Sequence, residues 1–140
     1  SQGMLARAAA LHPRVRFELV GLQELPYTEA FEGIICVDAM EHVPPEDWPL
    51  VLANFRRALK PQGFLYLTIE MADEDEIERA FVQGQGQGLP LVRGEQAGAE
   101  VYHYYPIVPQ VLAWLKQAGL ELLAQGVGDG YRHLVLRRPA

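Results

Sequence analysis

The chain has 140 residues, a length that suits one domain with a single hydrophobic core. Hydrophobic residues make up 49% and charged residues 21%, which argues against a disordered chain. The net charge of −6 argues against a nucleic-acid partner. The single cysteine excludes an intramolecular disulfide, and no apolar stretch is long enough to span a bilayer. Because the start of the chain has no signal-peptide pattern, we expect a cytoplasmic protein without a membrane partner or a metal. We expect Cys36, which lies in an apolar run, to be buried in the core.

The first half of the sequence predicts a helix and two strands, followed by a longer helix. Residues 4–11 are rich in Ala and Leu, and Pro13 ends that helix. Residues 15–19 alternate between apolar and charged side chains, which predicts a strand. Residues 33–37 are apolar without alternation, which predicts a strand buried on both faces, as in a parallel sheet. The next helix has an apolar face made of Trp48, Val51, Leu52, Phe55 and Leu59.

The second half predicts one strand, an irregular segment, a helix and a hairpin. The strand covers residues 64–69, and residues 71–100 form an acidic and glycine-rich insertion or lid over one end of the sheet. A helix at 108–118 precedes strands at 120–124 and 131–136, with a hairpin signal, Gly-Asp-Gly, between them. The predicted fold class is therefore α/β, with a sheet that ends in an antiparallel hairpin.

One stretch of the insertion has the glycine spacing of a nucleotide-binding loop. Gly84, Gly86 and Gly88 are separated by glutamines, but an acidic helix rather than a strand precedes them, and Pro90 follows where a helix should begin. A glycine motif without a strand and a helix around it carries little weight. We therefore interpret this stretch as a flexible loop.

The segment from Phe31 to Ile69 resembles the small-molecule methyltransferases of type 11, which are class I S-adenosylmethionine-dependent enzymes. The resemblance lies in a strand, a Glu41-His42-Val43 turn and a helix that ends in Lys60-Pro61-Gln62-Gly63. In the family a glycine occupies the position of Gln62. Further similar pieces follow the family's order, namely Leu25-Pro26-Tyr27 and Ala118-Gly119-Leu120.

The resemblance implies a Rossmann-like sheet with S-adenosylmethionine as cofactor and a small molecule as methyl acceptor. It also implies that the first two strands and their glycine-rich loop are missing, so that residues 1–140 form a partial domain that binds the cofactor weakly. By position in the family, the cofactor-binding candidates are Met4, Leu22, Gln23, Asp38, Ala39 and Met40. Asp38 could instead cap the following turn, Leu22 could be a packed loop residue, and Gly21 stands where the family has an acid that binds adenine.

The catalytic candidates are His42 and His103, because imidazole can act as a base near neutral pH. His42 could equally be a wall of the pocket, and its neighbour Glu41 could join it at a metal only if a third ligand were present. Tyr102, Tyr105 and Glu95 are candidates for substrate binding, since aromatic residues with polar tips suit a small organic molecule. The alternative is that every second residue of this cluster packs in the core.

Two functional hypotheses remain open from the sequence. The chain is either part of an active methyltransferase, or a remnant of the fold that binds a small ligand or a partner without catalysis. A gap in the sheet would expose the edge of the strand at 33–37. We expect a second copy, as in a homodimer, or the segment 15–19 to cover that edge.

Overall fold

The computed structural model of the chain describes residues 1–97 and 102–140. Four helices and six strands alternate along the chain. The helices are α1 (Gln2–Leu11), α2 (Trp48–Ala58), α3 (Glu74–Gly86) and α4 (Val108–Gln117), and the strands are β1 (Phe31–Cys36), β2 (Leu59–Glu70), β3 (Glu95–Ala97), β4 (Tyr102–Tyr104), β5 (Glu121–Gly128) and β6 (Tyr131–Arg137). None of the described helices has the length and hydrophobicity that a membrane-spanning helix needs.

The main sheet has four strands in the order β1-β2-β6-β5. β1 is parallel to β2, whereas β6 runs antiparallel to both of its neighbours, β2 and β5. Asp129 and Gly130 join β5 to β6 with φ angles of 52° and 80°, which is the left-handed pair that a two-residue hairpin turn requires. The prediction of an α/β sheet that ends in an antiparallel hairpin is confirmed.

The hydrophobic core lies between one face of this sheet and helices α2 and α4. Leu65, Leu67 and Ile69 of β2 point into it, as do Leu134 and Leu136 of β6. The predicted apolar face of α2 is confirmed, since its members are almost fully buried, and Cys36 is buried as its apolar surroundings predict. Burial raises the pKa of the Cys36 thiol to about 12, so this cysteine is a packing residue and not a nucleophile.

The strand at β1 is buried on one face, not on both. Its side chains alternate, with Cys36 6% exposed and Ile35 77% exposed. Phe64 of β2 lies on the same uncovered face and is 50% exposed. The prediction failed because an apolar run reports the hydrophobicity of a strand, whereas burial of its second face depends on whether other elements pack against it.

The predicted strand at 15–19 is also wrong. These residues form no regular structure, and Val15 and Leu19 are more than half exposed. An alternating pattern supplies no hydrogen-bond partners by itself, and an extended segment becomes a strand only beside another strand. The segment does not pair with β1, so the expectation that it covers the edge of β1 is wrong too.

The insertion between β2 and α4 contains α3 and the two-stranded sheet of β3 and β4. Asp73 caps α3 by accepting a hydrogen bond from the backbone N–H of Asp75, and acidic side chains in the first turn complement the helix dipole. Gly84 and Gly86 form the last turn of this helix, so the predicted flexible loop is wrong at these two positions. A Cβ on Gly84 would lie 2.5 Å from the side chain of Leu91, which shows that close packing explains this glycine. Gly98 and Glu100 of the predicted insertion lie outside the described residues.

In the turn before the central part of β2, the backbone of Gln62 is strained, and Gly63 lies close to neighbouring backbone atoms. Gln62 has a φ of 65°, whereas a Cβ on Gly63 would approach the carbonyl oxygens of Lys60 and Glu32 at 2.9 and 3.0 Å. Replacing Gln62 with glycine should stabilise the chain by about 1 kcal/mol because glycine adopts this conformation freely. Replacing Gly63 with alanine should destabilise it by a similar or larger amount. Urea unfolding checks both, and a loss of stability in Gln62→Gly would contradict the strain argument.

Candidate functional site

The candidate site forms at the carboxyl end of β1, where ligands of α/β sheets usually bind. The chain leaves the strand through Asp38, whose φ of 53° turns the backbone sharply. The backbone N–H of Asp38 donates to Oγ1 of Thr68 at 3.1 Å, which fixes this turn to β2. A 3-10 turn then follows from Met40 to His42. The turn that carries most of the sequence candidates is therefore anchored and not a loose loop.

Asp38 is held as a carboxylate by a neighbour that the sequence did not single out. The hydroxyl of Tyr131 donates to Oδ1 of Asp38 at 2.5 Å. This hydrogen bond lowers the pKa of Asp38, and it raises the pKa of Tyr131 to about 12. The site thus keeps a negative charge at the end of β1 across the neutral range.

Glu41 lies beneath Asp38 and is 3% exposed. Burial, and then the adjacent Asp38, raises the pKa of Glu41. One of its oxygens, Oε1, is 3.7 Å from Nε2 of His42, and the other, Oε2, has no hydrogen-bond partner among the described residues. A buried carboxyl with an unused acceptor is costly, so this turn is a candidate for a functional role.

The two histidines that the sequence nominated for catalysis lie side by side, although 60 residues separate the segments that carry them. The ring centroids of His42 and His103 are 5.0 Å apart, and Nδ1 of His42 lies 3.2 Å from the carbonyl oxygen of Tyr102. Nε2 of His103 is 3.9 Å from Oε2 of Glu70 at the end of β2. The carboxylate of Glu70 is therefore close to the His103 ring, beyond direct hydrogen-bond distance. Both imidazoles are partly exposed and can meet a ligand.

Glu95 and Tyr102 form a clamp that holds β3 against β4. The hydroxyl of Tyr102 donates to Oε1 of Glu95 at 2.7 Å, and the backbone N–H of Val92 donates to Oε2 at 2.6 Å. Burial, and then the neighbouring Glu95, raises the pKa of Tyr102. Because both carboxylate oxygens are used within the chain, Glu95 positions the aromatic segment, and its contact with a substrate stays a prediction.

The rest of the aromatic segment divides between core and site. Tyr104 is buried and packs edge-on against Trp48, with ring centroids 5.9 Å apart. Tyr105 is half-buried, and its ring stacks on His103 at 5.8 Å. The alternative that part of this segment packs in the core is confirmed for Tyr104, whereas the contact of Tyr102 and Tyr105 with a substrate stays a prediction.

An apolar groove of about 420 Å³ runs along β1 on the other side of Asp38. Leu22 and Ala39, two of the cofactor candidates, line it together with Ile34 and Cys36. The side-chain amide of Asn54 donates to the carbonyls of Leu22 and Gln23 at 3.0 Å each, so that α2 fixes the turn that carries them.

The remaining cofactor candidates are placed less directly. Gln23 donates from Nε2 to Asp47 at 3.2 Å, and its side chain is engaged by the start of α2. The side chain of Met40 is fully buried, which leaves its backbone for contact with a ligand. Met4 lies on α1, is 74% exposed, and does not line the groove. Their roles in binding the cofactor stay predictions.

Sequence reasoning missed three members of the cluster at the sheet end, namely Glu41 as a buried acid, Glu70 and Tyr131. Tyr131 and Glu70 face each other in the register of β6 and β2. The hairpin signal places Tyr131 first in its strand, so a register drawn from the turn could have found this pair. We call the cluster the acidic ring; it consists of Asp38, Glu41, His42, Glu70, His103 and Tyr131. Among the described residues, no three acidic, histidine or cysteine side chains are arranged to hold a metal ion.

Removing the hydroxyl of Tyr131 should make the carboxylate of Asp38 easier to protonate. In Tyr131→Phe we expect the pKa of Asp38 to rise, because its main hydrogen-bond donor is lost. A group whose pKa is lowered by folding stabilises the fold above its unfolded pKa and loses that contribution as the pH falls through the folded value. The variant should therefore lose less stability than the parent between about pH 5 and pH 2.

Carbon-detected NMR titration of the Asp38 carboxyl, with urea unfolding across the same pH range, measures both effects. Tyr66→Phe is the matched control, because its hydroxyl lies 2.7 Å from Nδ1 of His133 and does not contact Asp38. An unchanged Asp38 titration in Tyr131→Phe would show that the hydrogen bond does not control this carboxylate.

Comparison with known proteins gives a match to one family model over part of the chain and a set of solved structures with the same fold. Residues 1–63 match the family model described as a methyltransferase domain. Comparison with curated proteins finds no significant match. A SAM-dependent methyltransferase from Methanosarcina mazei superposes with a TM-score of 0.84 at 11% identity, over 99% of this chain and 79% of that protein.

Two further solved structures extend this likeness. A S-adenosylmethionine-dependent methyltransferase from Mesorhizobium loti has a TM-score of 0.75 at 17% identity, over 99% of this chain and 77% of its own. The 1,6-didemethyltoxoflavin-N1-methyltransferase of Burkholderia thailandensis, solved with 1,6-didemethyltoxoflavin and S-adenosylhomocysteine, has a TM-score of 0.68 at 17% identity, over 96% of this chain and 56% of its own. The resemblance predicted from residues 31–69 is confirmed, and these identities establish the fold.

Proposed function

We propose that this chain, which has the fold of S-adenosylmethionine-dependent methyltransferases and matches their family model over residues 1–63, serves methyl transfer to a small-molecule acceptor. One observation carries the proposal: Val37 and Ala39, which line the apolar groove, are the chain neighbours of Asp38 of the acidic ring, at the carboxyl end of β1. A groove for a flat ring system beside a polar cluster is the arrangement that a reaction between a nucleoside cofactor and a polar acceptor requires.

The groove fits the adenosine part of the cofactor. Its lining is mostly apolar, and Leu22 and Ala39 approach it from opposite sides of β1's end, as the family resemblance predicts for them. In the sequence, the polar groups that adjoin the lining residues Leu22 and Ala39 are the amide of Gln23 and the backbone of residues 38–40. When bound, S-adenosylmethionine would supply a methyl group activated by positively charged sulfur.

The acceptor side of the proposal uses the histidines and the aromatic segment. Tyr105 stacks on His103, and Tyr102 with Glu95 holds that segment in place, so these residues position an acceptor beside the ring. His103, oriented towards Glu70, serves as the base that removes a proton from the acceptor, and His42 forms the neighbouring wall. The methyltransferase from Burkholderia thailandensis supports a small molecule as the acceptor class.

We further propose that these 140 residues bind the cofactor weakly by themselves. Gly84 and Gly86 lie in the last turn of α3, so this motif offers no loop after a strand for close approach to a cofactor. Gly21 offers no carboxylate to the adenine amino group. The second candidate function is a non-catalytic domain that binds a small ligand or a partner, and the absence of cofactor binding would favour it.

A homodimer through β1 is the partner arrangement that we propose. Within residues 1–97 and 102–140 the outer edge of β1 pairs with no strand, and Ile35 and Val37 beside it are 77% and 50% exposed. An unpaired apolar edge is a template for pairing with another chain. Sedimentation velocity tests this proposal, and a monomer at millimolar concentration whose Ile35 amide exchanges rapidly would contradict it.

Titration with S-adenosylhomocysteine tests the function. We expect amide shifts at Leu22, Asp38 and Ala39 in two-dimensional NMR, with a dissociation constant weaker than about 100 µM. Ala39→Trp should fill the groove and abolish these shifts, whereas Ala53→Trp, on the exposed side of α2, should leave them intact. Binding at micromolar affinity would contradict the weak-binding proposal. The absence of any shift at the groove would contradict cofactor binding and favour the non-catalytic domain.

A further inference from the structure

The acidic ring forms a continuous circuit of contacts around the end of the sheet. Tyr131 donates to Asp38, Glu70 faces Tyr131 across the strand pair, and Glu70 lies 3.9 Å from His103. His103 stacks against His42 at 5.0 Å, and His42 lies 3.7 Å from Glu41, which adjoins Asp38. The circuit encloses a small polar surface, in which every member offers a donor or an acceptor.

The charge of this surface is negative. Asp38 is ionised, Glu70 lies opposite the Tyr131 that donates to Asp38, and the nearby acids raise the pKa of Tyr105 beyond the effect of burial. The neighbouring arginines are engaged elsewhere: Arg93 pairs with Glu78, and Arg79 donates to the backbone carbonyl of Asp75. Arg132 lies on the opposite face of β6 and donates to Gln125. A ligand with a carboxylate or a phosphate would therefore meet repulsion here without a compensating cation.

An apolar cavity of about 270 Å³ opens one residue beyond Glu70. Met71, Ile77 and Ile107 line it together with Tyr105, whose ring also stacks on His103. Its size suits a single substituted aromatic ring, and the aromatic side chain of Tyr105 in its wall is a surface on which such a ring can pack. The acidic ring and this cavity thus share Tyr105 as a common wall.

A second observation independently points to a ligand at this place. Oε2 of Glu41 is buried without a hydrogen-bond partner among the described residues, although its carboxyl adjoins Asp38 within the ring. A native fold seldom leaves a buried acceptor unpaired, and a functional site is one place where such an exception is retained.

On this geometry, and resting on the proposed function, we propose that the methyl acceptor is a small aromatic amine. Its ammonium group lies between Asp38 and Glu70, and its aromatic part enters the cavity beside Tyr105. His103 takes one proton from the ammonium: the N–H bond breaks, the proton passes to Nε2, and the nitrogen keeps the electron pair as a neutral amine. Glu70 stabilises the imidazolium that results.

Three probes that share one phenol ring and differ in charge test this proposal. Tyramine is cationic, 4-ethylphenol is neutral and 4-hydroxyphenylacetate is anionic. By NMR titration of this chain we expect tyramine to bind about tenfold more tightly than 4-hydroxyphenylacetate and measurably more tightly than 4-ethylphenol. Its shifts should appear at the amides of Asp38, Glu70, Tyr105 and Tyr131. Equal or tighter binding of the anion, or no preference for tyramine over 4-ethylphenol, would overturn the proposal.

Two variants separate the charge effect from general damage to the fold. Glu70→Gln should remove most of the tyramine preference while leaving the affinity for 4-ethylphenol unchanged. Glu121→Gln, whose partner Arg137 lies at the other end of the sheet, should change neither affinity. Because the readout is a ratio of two affinities in one variant, partial destabilisation does not imitate the effect. An undiminished preference in Glu70→Gln would contradict the assignment.

The cofactor also carries an amino group, which could occupy the same ring. We expect S-adenosylhomocysteine and tyramine to bind together, each with its own set of shifts. Displacement of tyramine by S-adenosylhomocysteine would assign the ring to the cofactor and overturn the proposal. The proposed function fails through absent shifts at Leu22 and Ala39, whereas this inference fails through the charge series, so the two failures are distinguishable.

Discussion

Replacing Trp48 with alanine should destabilise the chain by about 3 to 5 kcal/mol, the range for removing a large buried aromatic side chain. Trp48 is fully buried, and its ring lies 5.9 Å from Tyr104 and 5.6 Å from Trp114. Its indole N–H donates to the carbonyl of Val43 at 3.0 Å, so the substitution also removes the partner of a buried backbone group. Because small domains are stable by only about 5 to 15 kcal/mol, this one change should remove a large part of the stability.

Urea unfolding of Trp48→Ala measures this loss, with Leu50→Ala as the matched control. Leu50 lies in the same helix and is 47% exposed, so its truncation should change the free energy of unfolding by less than about 0.5 kcal/mol. Trp48 also joins the turn at Val43 to the aromatic segment at Tyr104, which precedes the half-buried Tyr105. The variant should therefore disturb the NMR signals of both His42 and His103. A loss below 1 kcal/mol with unchanged histidine signals would contradict the central place of Trp48.

The features that could be predicted from the sequence are those set by local chemistry. The spacing of Trp48, Val51 and Phe55 defines one face of α2, and Asp129-Gly130 specifies a turn with two left-handed residues. In both cases the information lies within a few neighbouring residues. The strand predicted at residues 15–19 was wrong for the opposite reason. Their alternation is a local pattern, but a strand needs a hydrogen-bonding partner, which this pattern does not identify.

The same division applies to the candidate site. His42 and His103 could be nominated singly from their residue type, but their contact depends on β4 lying against the turn after β1. Tyr131 carries no signal of its own. It reaches Asp38 because the hairpin register sets it opposite Glu70. The acidic ring is therefore a product of strand register, which links residues up to 93 positions apart, and no local pattern contains it.

Replacing Gly94 with alanine should cost about 1 to 3 kcal/mol and displace the aromatic segment that borders the acidic ring. Gly94 has a φ of 101°, and a Cβ there would lie 2.5 Å from the carbonyl oxygen of Tyr105. That oxygen belongs to the backbone, so it cannot move aside as a flexible side chain would. The carbonyl of Gly94 also accepts a hydrogen bond from the N–H of Tyr105 at 2.9 Å, which ties the start of β3 to the end of β4.

Gly86→Ala is the matched control with the opposite sign. Gly86 is the last residue of α3, no atom lies within 4 Å of an added Cβ, and alanine should stabilise the helix by about 0.5 kcal/mol. Urea unfolding gives both free energies, and the histidine signals and the tyramine titration report on the site. We expect Gly94→Ala to weaken tyramine binding several-fold because Tyr105 and His103 move together, while Gly86→Ala leaves it unchanged. Unaltered stability and binding in Gly94→Ala would contradict the expected clash between the added Cβ and the carbonyl oxygen of Tyr105. It would also show that Tyr105 does not need this glycine to border the acidic ring.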